Sequence, residues 1–320
     1  MAGPISFAGR VAIVTGAGGG IGRAHALEIG RRGGMVLVND LGGNVEGAGG
    51  SAAMAEQVAG EIRAAGGQAV ASGASVATSA GAAAIVETAL AAFGRIDVLV
   101  NNAGNMRVAR IEDTSDEDWD ALIATHLSGS FRMTRAVWPH MKAQGYGRIV
   151  YTASSAGLFG VEMQGAYAAA KAGIVGLMNV AAIEGGEHGI LANAILPNAM
   201  SRMADKVAED WDPAVTARGA AMIEAFGNAM NPEFNTPLAV WLASEACHST
   251  HRIYSQALGR NARVFIGVVP GWQAQRQSAP SVEEIAEHWD AIVDTAHGFT
   301  TPASPHEELG GVIAAFPGPA

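Results

Sequence analysis

Tyr167 and Lys171 lie four residues apart in the stretch Gln164-Gly165-Ala166-Tyr167-Ala168-Ala169-Ala170-Lys171. On a helix, i and i+4 are surface neighbours, so the phenol and the ammonium share one face. A phenol ordinarily titrates at about pH 10. An ammonium held beside it favours the phenolate, which makes the tyrosine a candidate proton acceptor or donor nearer neutrality. Such a pair in an alanine-rich helix says little alone. Its meaning depends on what the rest of the chain places in front of it.

A β-branched run, Val11-Ala12-Ile13-Val14, leads into Thr15-Gly16-Ala17-Gly18-Gly19-Gly20-Ile21-Gly22 and then a helical pattern through Ala24, Leu27 and Ile29. Strand, glycine turn and helix together form the context of a dinucleotide site. Glycines let the backbone approach a pyrophosphate, and the helix start offers it free N–H groups. The next strand, Met35 to Asn39, ends at Asp40. A carboxylate about 20 residues beyond the turn can accept hydrogen bonds from ribose hydroxyls and would repel a 2′-phosphate, so NAD is expected rather than NADP. Ser75 and Val76 follow a third short strand, Gln68–Ser72, and Asn101-Asn102-Ala103-Gly104 follows a fourth, Ile96–Val100. Arg148–Thr152 is a fifth, running into Ala153-Ser154-Ser155-Ala156-Gly157, and Ile190–Leu196 is a sixth, stopping at Pro197.

Strands alternating with helices of this length indicate βαβ units, hence a parallel sheet with its ligand-binding loops along one edge. The expectation is a doubly wound, seven-stranded α/β sheet in three α/β/α layers, the seventh strand over Ala262–Val268. One long helix is expected from an N-cap at Ser115 to Lys142, another from Met163 to Glu184, and an amphipathic one over Ser281–Thr295. No linker divides the chain before about residue 270. Residues 1–270 are therefore expected to form the nucleotide-binding domain, with a substrate lid over 200–232. Residues 271–320 form a C-terminal extension, helical and then extended over the last 25 residues.

The 320 residues are 49% apolar, ample for a core, and the formal charge is −10. That balance argues against a general nucleic-acid binder or a binder of anionic membranes, both of which need basic surface. The single cysteine, Cys247, permits no intrachain disulfide and fits a reducing compartment. No signal peptide and no uncharged apolar run of membrane-spanning length is read, so the expected location is cytoplasmic. No metal site is expected.

With these motifs in one order, the chain resembles the short-chain dehydrogenase/reductase family over residues 7 to about 270. The serine of that family precedes its tyrosine by thirteen residues, which selects Ser154 over Ser155. Val38-Asn39-Asp40-Leu41-Gly42-Gly43, Phe93–Asp97, Asp116–Asp120, His126–Phe131 and Pro197-Asn198-Ala199 with Ser201-Arg202-Met203 are similar to the dehydrogenase part of peroxisomal multifunctional enzyme type 2. His126 stands where the wider family has an asparagine that holds a water linking the lysine to solvent. Ala153 stands where that branch tends to have serine.

The resemblance implies a Rossmann-type fold, NAD as cofactor, and Ser154, Tyr167, Lys171 and His126 at the reacting atoms. It implies cofactor contacts from Gly16, Gly20, Ile21, Gly22, Asp40, Leu41, Ser75, Val76, Asn102, Ala103, Gly104, Tyr167, Lys171, Ala199 and Ser201. Tyr167 would take the hydroxyl proton of a secondary alcohol while hydride passes to NAD. Ser154 would hold the same oxygen, and Lys171 would also reach the nicotinamide ribose. The implied substrate is a (3R)-3-hydroxyacyl-CoA, fatty or steroid-linked, in lipid breakdown. The alternatives are a free hydroxysteroid or other lipophilic alcohol and, in a different class, a non-catalytic dinucleotide-binding regulator. Met163, Met200, Met203, Met222 and Met230 suit an adaptable apolar wall, and Arg107, Arg110 and Arg202 are candidates to meet a CoA group. The family implies a homodimer or homotetramer.

Overall fold

Three parallel strands build outward from β1 (Val11–Thr15): β2 (Met35–Asn39) pairs with it, and β3 (Gln68–Ser72) pairs with β2. The chain then crosses to the other side of β1. There β4 (Val98–Asn101), β5 (Gly147–Thr152), β6 (Ile190–Pro197) and β7 (Arg252–Ala257) continue the parallel sheet. The order β3-β2-β1-β4-β5-β6-β7-β8 reverses direction between β1 and β4. At that reversal the loops leave in opposite directions and open a crevice at the strands' carboxyl ends. This computed structural model describes residues 3–47, 49–199, 227–274 and 278–315.

The seventh parallel strand is thus Arg252–Ala257 and not Ala262–Val268. Its sequence, Arg-Ile-Tyr-Ser-Gln-Ala, buries only Ile253 and Gln256, so it lacks the apolar run that marks the central strands. Leu258 and Gly259, both at positive φ, turn the chain into an eighth strand, β8 (Arg260–Val264), next to β7. Two consecutive positive-φ residues are the backbone signature of a tight hairpin turn.

Two helical layers sandwich the sheet. On one side lie α1 (Gly20–Arg31), α2 (Ala53–Ala64) and α8 (Thr236–Ala243). Their Ala26, Ile29, Val58, Ile62, Val240 and Leu242 form one core with Val14, Val36, Val38 and Val100 of the strands. Burial of each such branched side chain is worth about 1.5–3 kcal/mol. On the other side lie α3 (Ser79–Phe93), α5 (Ser128–Gln144) and α7 (Gly165–Gly185). The stretch 165–188 is long and apolar enough to cross a membrane by length and composition, with a mean hydropathy of 1.5. It packs against β6 and buries Lys171, as a core helix does.

The helix expected over 115–142 is not continuous. Ser115 does cap it, accepting from the Asp118 N–H at 3.1 Å. After α4 (Asp116–Leu122), however, residues Ile123–Leu127 form a π turn before α5 begins. The extra residue of a π turn changes which side chains face the sheet, and nothing in the apolar spacing announces it.

Two compact units are distinguished, Met1–Arg263 and Val264–Ala320. Within the second, Val268 and Thr300 form an antiparallel bridge, and Phe265 stacks on Phe299 at 5.2 Å. The helix expected over Ser281–Thr295 is split into α9 (Val282–Glu287) and α10 (Trp289–Val293) at His288, whose Nδ1 bonds the Glu284 carbonyl at 2.8 Å while its ring stacks on Trp272. The last residues are not simply extended. α11 (Pro305–Ala315) starts from Ser304, with Glu307 and Glu308 in its first turn. Proline at the first position and acids in the first turn are helix-start signals, masked in the sequence by the glycines and prolines around them.

His25 on α1 is fully buried against α8, with Nδ1 3.2 Å from the Thr236 hydroxyl, and burial pulls its pKa down to about 4. The unfolded chain takes up this proton below about pH 6.5, whereas the fold resists it until about pH 4. Stability therefore falls as pH drops through that window. His25→Gln is expected to lose about 2 kcal/mol less than the parent between pH 7 and pH 5. Urea unfolding at the two pH values measures this, and equal losses would contradict it.

Candidate active site

The ends of β1 and β4 are tied together by a threonine and an asparagine. The Thr15 hydroxyl accepts from the N–H groups of Asn102 (3.0 Å) and Ala103 (3.1 Å) and donates to the Val100 carbonyl at 3.2 Å. The Asn102 side chain returns the bond, its Nδ2 donating to the carbonyls of Thr15 and Gly16 at 3.0 Å each. This brace fixes the glycine turn. A Cβ on Gly22 would stand 2.3 Å from the Gly16 carbonyl oxygen and 2.4 Å from Asn102 Nδ2, so α1 can begin here only on glycine. Sequence reasoning marked Asn102 but passed over Thr15, whose signal is its place directly before the first glycine of the turn.

Helix α1 opens at Gly20 and Ile21 with no side-chain cap and no acid in its first turn. Its N–H groups are thus left to the cleft, the condition under which a helix start takes a phosphate. Asp40, at the end of β2, faces the same turn. One carboxylate oxygen accepts from the Gly18 N–H at 2.8 Å, and the other from the Gly42 N–H at 2.7 Å. The acid is held by its neighbours with lone pairs to spare for ribose hydroxyls. Leu41 closes the loop that follows through its carbonyl, which accepts from the Ser51 N–H at 2.8 Å. Val76 is buried beside Gly129, and Ser75 half-buried at the edge of β3.

On the far side of the crevice, α7 carries Tyr167 and Lys171. The Tyr167 hydroxyl lies near enough to the Ser154 side chain for the serine to pull its pKa down. Ser154 also caps a short helix, α6 (Ser155–Phe159), by accepting from the Ala156 N–H at 3.2 Å. Ser155, its exposed neighbour, lies inside that helix. Lys171 is buried, its Nζ donating to the Thr152 carbonyl at 2.6 Å and lying 5.5 Å from the Tyr167 ring centre. Burial lowers the lysine to about 7. Burial also pushes the Tyr167 phenol up, and the neighbouring Ser154 pulls it back. The expected activation of the phenol by the ammonium is therefore opposed here by desolvation, the larger influence on both groups.

His126 comes to the same place because of the π turn. Its ring meets Tyr167 edge to face, centres 5.2 Å apart at 89°, and is buried. Nε2 lies 2.8 Å from the Asn105 carbonyl and 3.3 Å from the Asn105 N–H. The shorter contact fixes the tautomer, with the proton on Nε2 and a bare, unpartnered lone pair on Nδ1. Burial, with Lys171 nearby, lowers its pKa to about 3, so the ring stays neutral at physiological pH. Gly104 leaves room for the ring, since a Cβ there would stand 2.4 Å from Cε1.

Ala199 is half-buried at the end of β6, beyond a clamp that no sequence spacing announces: Asn235 Oδ1 accepts from the Asn198 N–H at 3.2 Å and Nδ2 donates to the Asn198 carbonyl at 3.0 Å. Ser201, Arg202, Met200, Met203, Met222 and most of the expected lid lie outside the described residues. Met230 is buried, and Met163 sits at φ 62° beside the site. Arg107 pairs with Asp118 at 2.7 Å. Among the described residues no group of three or more potential ligands could hold a metal ion.

A glycine turn under an open helix start, faced across a sheet crevice by a neighbouring serine and tyrosine and a buried lysine, defines a dinucleotide-dependent oxidoreductase acting on CH–OH groups. The model of the short chain dehydrogenase family matches residues 10–212. The chain belongs to that family. It is 42% identical over 98% of its length to peroxisomal multifunctional enzyme type 2 of Mus musculus, spanning 40% of that protein. It is 38% identical over 87% of its length to hydroxyacyl-CoA dehydrogenase ChsB1 of Mycobacterium tuberculosis, covering 82% of it. A solved short chain dehydrogenase from Mycobacterium avium superposes with a TM-score of 0.73 at 39% identity, over 90% of this chain and 97% of that one.

Gly22→Ala displaces both the glycine turn and its asparagine brace. The variant is expected to bind NADH at least about tenfold more weakly, a loss of about 1.4 kcal/mol. Titration by energy transfer from tryptophan to NADH measures it, and unchanged affinity would show that the turn does not carry the nucleotide.

Proposed function

We propose that this chain oxidises the 3-hydroxyl of a 3-hydroxyacyl-CoA thioester with NAD. The observation that carries the chemistry is the convergence of Ser154, Tyr167 and the buried Lys171 on one face of the crevice. NAD supplies the hydride acceptor. Asp40 supports the choice of NAD over NADP, since a carboxylate at the ribose position repels a 2′-phosphate. The thioester is supported by the hydroxyacyl-CoA dehydrogenase relative, aligned over most of both chains.

In this reading the substrate hydroxyl takes the place between Ser154 and Tyr167. Ser154 donates to its oxygen as charge redistributes. Tyr167 removes the proton, for which the phenol must first ionise. Lys171, poised near neutrality, stabilises the phenolate when protonated and offers a route by which that proton leaves. His126 stays neutral and holds the tyrosine ring by its edge.

A homo-oligomer is part of the proposal. Phe131 on α5 and Val180 and Ile183 on α7 are roughly half exposed (46%, 50% and 56%), apolar surface that a second copy would cover.

NADH formation from a panel of 3-hydroxyacyl-CoA thioesters, free 3-hydroxy acids and free sterols tests the substrate. Turnover confined to thioesters is expected. Turnover of free sterols with silent thioesters would overturn the thioester assignment. Tyr167→Phe is expected to lower kcat by about a thousandfold or more, within the range of lost acid–base catalysis, while NADH affinity stays within about threefold. A variant with near-normal kcat would remove Tyr167 from the chemistry.

A further inference from the structure

The loop between β2 and α2 does more than connect them. It is closed at its neck: the Ser51 N–H bonds the Leu41 carbonyl at 2.8 Å, and a Cβ on Gly42 (φ 70°) would fall 1.9 Å from the Ser51 carbonyl oxygen. Compact surface loops with joined ends often carry function. The neck sits on Asp40, whose carboxylate holds the Gly42 N–H. The tip lies elsewhere. The Met106 N–H donates to the Val45 carbonyl at 3.0 Å, and Asn105 Nδ2 approaches the Glu46 carbonyl at 3.5 Å and the Ala121 carbonyl at 3.3 Å. A Cβ on Gly47 (φ 84°) would stand 3.1 Å from that same Nδ2.

The sheet order gives this contact its meaning. β2 and β4 flank β1. A loop that leaves the end of β2 and rests on residues 105 and 106, beyond the end of β4, must cross the carboxyl end of β1. That is where the glycine turn lies. A dinucleotide seated on the turn, with its ribose at Asp40, would lie under the loop.

We propose that residues 42–47 form a strap across the bound dinucleotide and that Asn105 is its catch, a cofactor-positioning residue for the reaction. The inference rests on the dinucleotide reading above. Asn105 is 4% exposed, and its side chain spans from the strap to the end of α4. Its backbone carbonyl accepts from Nε2 of His126, whose ring in turn meets Tyr167. The residue that fastens the strap therefore also seats the ring behind the tyrosine. The strap opens for nucleotide exchange by releasing its tip from Asn105 and Met106, while the neck at Gly42 and Ser51 stays closed.

Two variants test this from opposite sides. Asn105→Ala removes the catch, and Gly47→Ala puts a methyl group between strap and catch at a backbone conformation that disfavours it. In stopped-flow displacement of NADH, followed by energy transfer from tryptophan, each variant is expected to release the nucleotide roughly fivefold or more faster than the parent. In hydrogen exchange, NADH is expected to protect both peptides 11–31 and 41–51 in the parent, and only 11–31 in the variants. Parent-like release and parent-like protection of 41–51 in the two folded variants would overturn the strap. A parent chain that binds no NADH at all would instead overturn the dinucleotide reading beneath it, a result visible before any variant is made. Should Asn105→Ala fail to fold, Gly47→Ala alone decides, because it keeps the asparagine and its backbone bond to His126.

Discussion

The tie between the ends of β1 and β4 is the constraint on which the rest of the site depends. A parallel sheet that reverses its order leaves a crevice there but does not fix its width. Thr15 and Asn102 do, through five hydrogen bonds that join the glycine turn to the neighbouring strand end. Each such bond contributes only about 1 kcal/mol net, yet leaving a buried partner unpaired costs more. With the turn fixed, α1 starts in one direction, Gly18 meets Asp40, and Gly104 stands clear of His126. The platform and the proton-transfer face are thus set relative to one another by the side-chain-to-backbone bonds of Thr15 and Asn102.

The second theme is desolvation. Lys171, His126 and the phenol of Tyr167 are all driven toward their neutral forms by burial. Any charge that develops in the crevice then interacts in a medium poorer in water, where a single ammonium or hydroxyl dipole acts more strongly. A lysine poised near neutrality beside a tyrosine can exchange a proton without leaving its bond to the Thr152 carbonyl. His126 belongs to this arrangement by shape. It is a neutral ring with a fixed tautomer, packed edge-on against the tyrosine it supports.

Much of this was legible in the sequence because it is periodic or local. The glycine turn announced itself by its flanking strand and helix, Asp40 by its place at the end of β2, and Tyr167 with Lys171 by helical spacing. The thirteen-residue spacing pointed to Ser154, which lies beside Tyr167 and lowers its pKa. What escaped was not periodic. The π turn at Ile123–Leu127 breaks a helix whose apolar spacing runs on without interruption. β7 is mostly polar at its half-buried positions and so lacks the hydrophobic run that the stretch after the hairpin carries. Thr15, Asn105 and Asn235 work through bonds to backbone groups far away in the chain, and sequence spacing holds no trace of such partners. Ionisation was the other blind spot. Proximity of Lys171 to Tyr167 could be read from their spacing, but the burial that dominates both pKa values could not.

The central claim is that the crevice passes hydride from a thioester-bound secondary alcohol to NAD while Tyr167 takes the proton. The most direct measurement follows the hydrogen itself. A 3-hydroxyacyl-CoA deuterated at carbon 3 is turned over with NAD, and the reduced nucleotide is analysed by mass spectrometry. The account predicts one deuterium in each NADH formed, with none entering from deuterated water in the converse experiment. NADH that carries no substrate deuterium, or no NADH from any hydroxyacyl thioester, would contradict it.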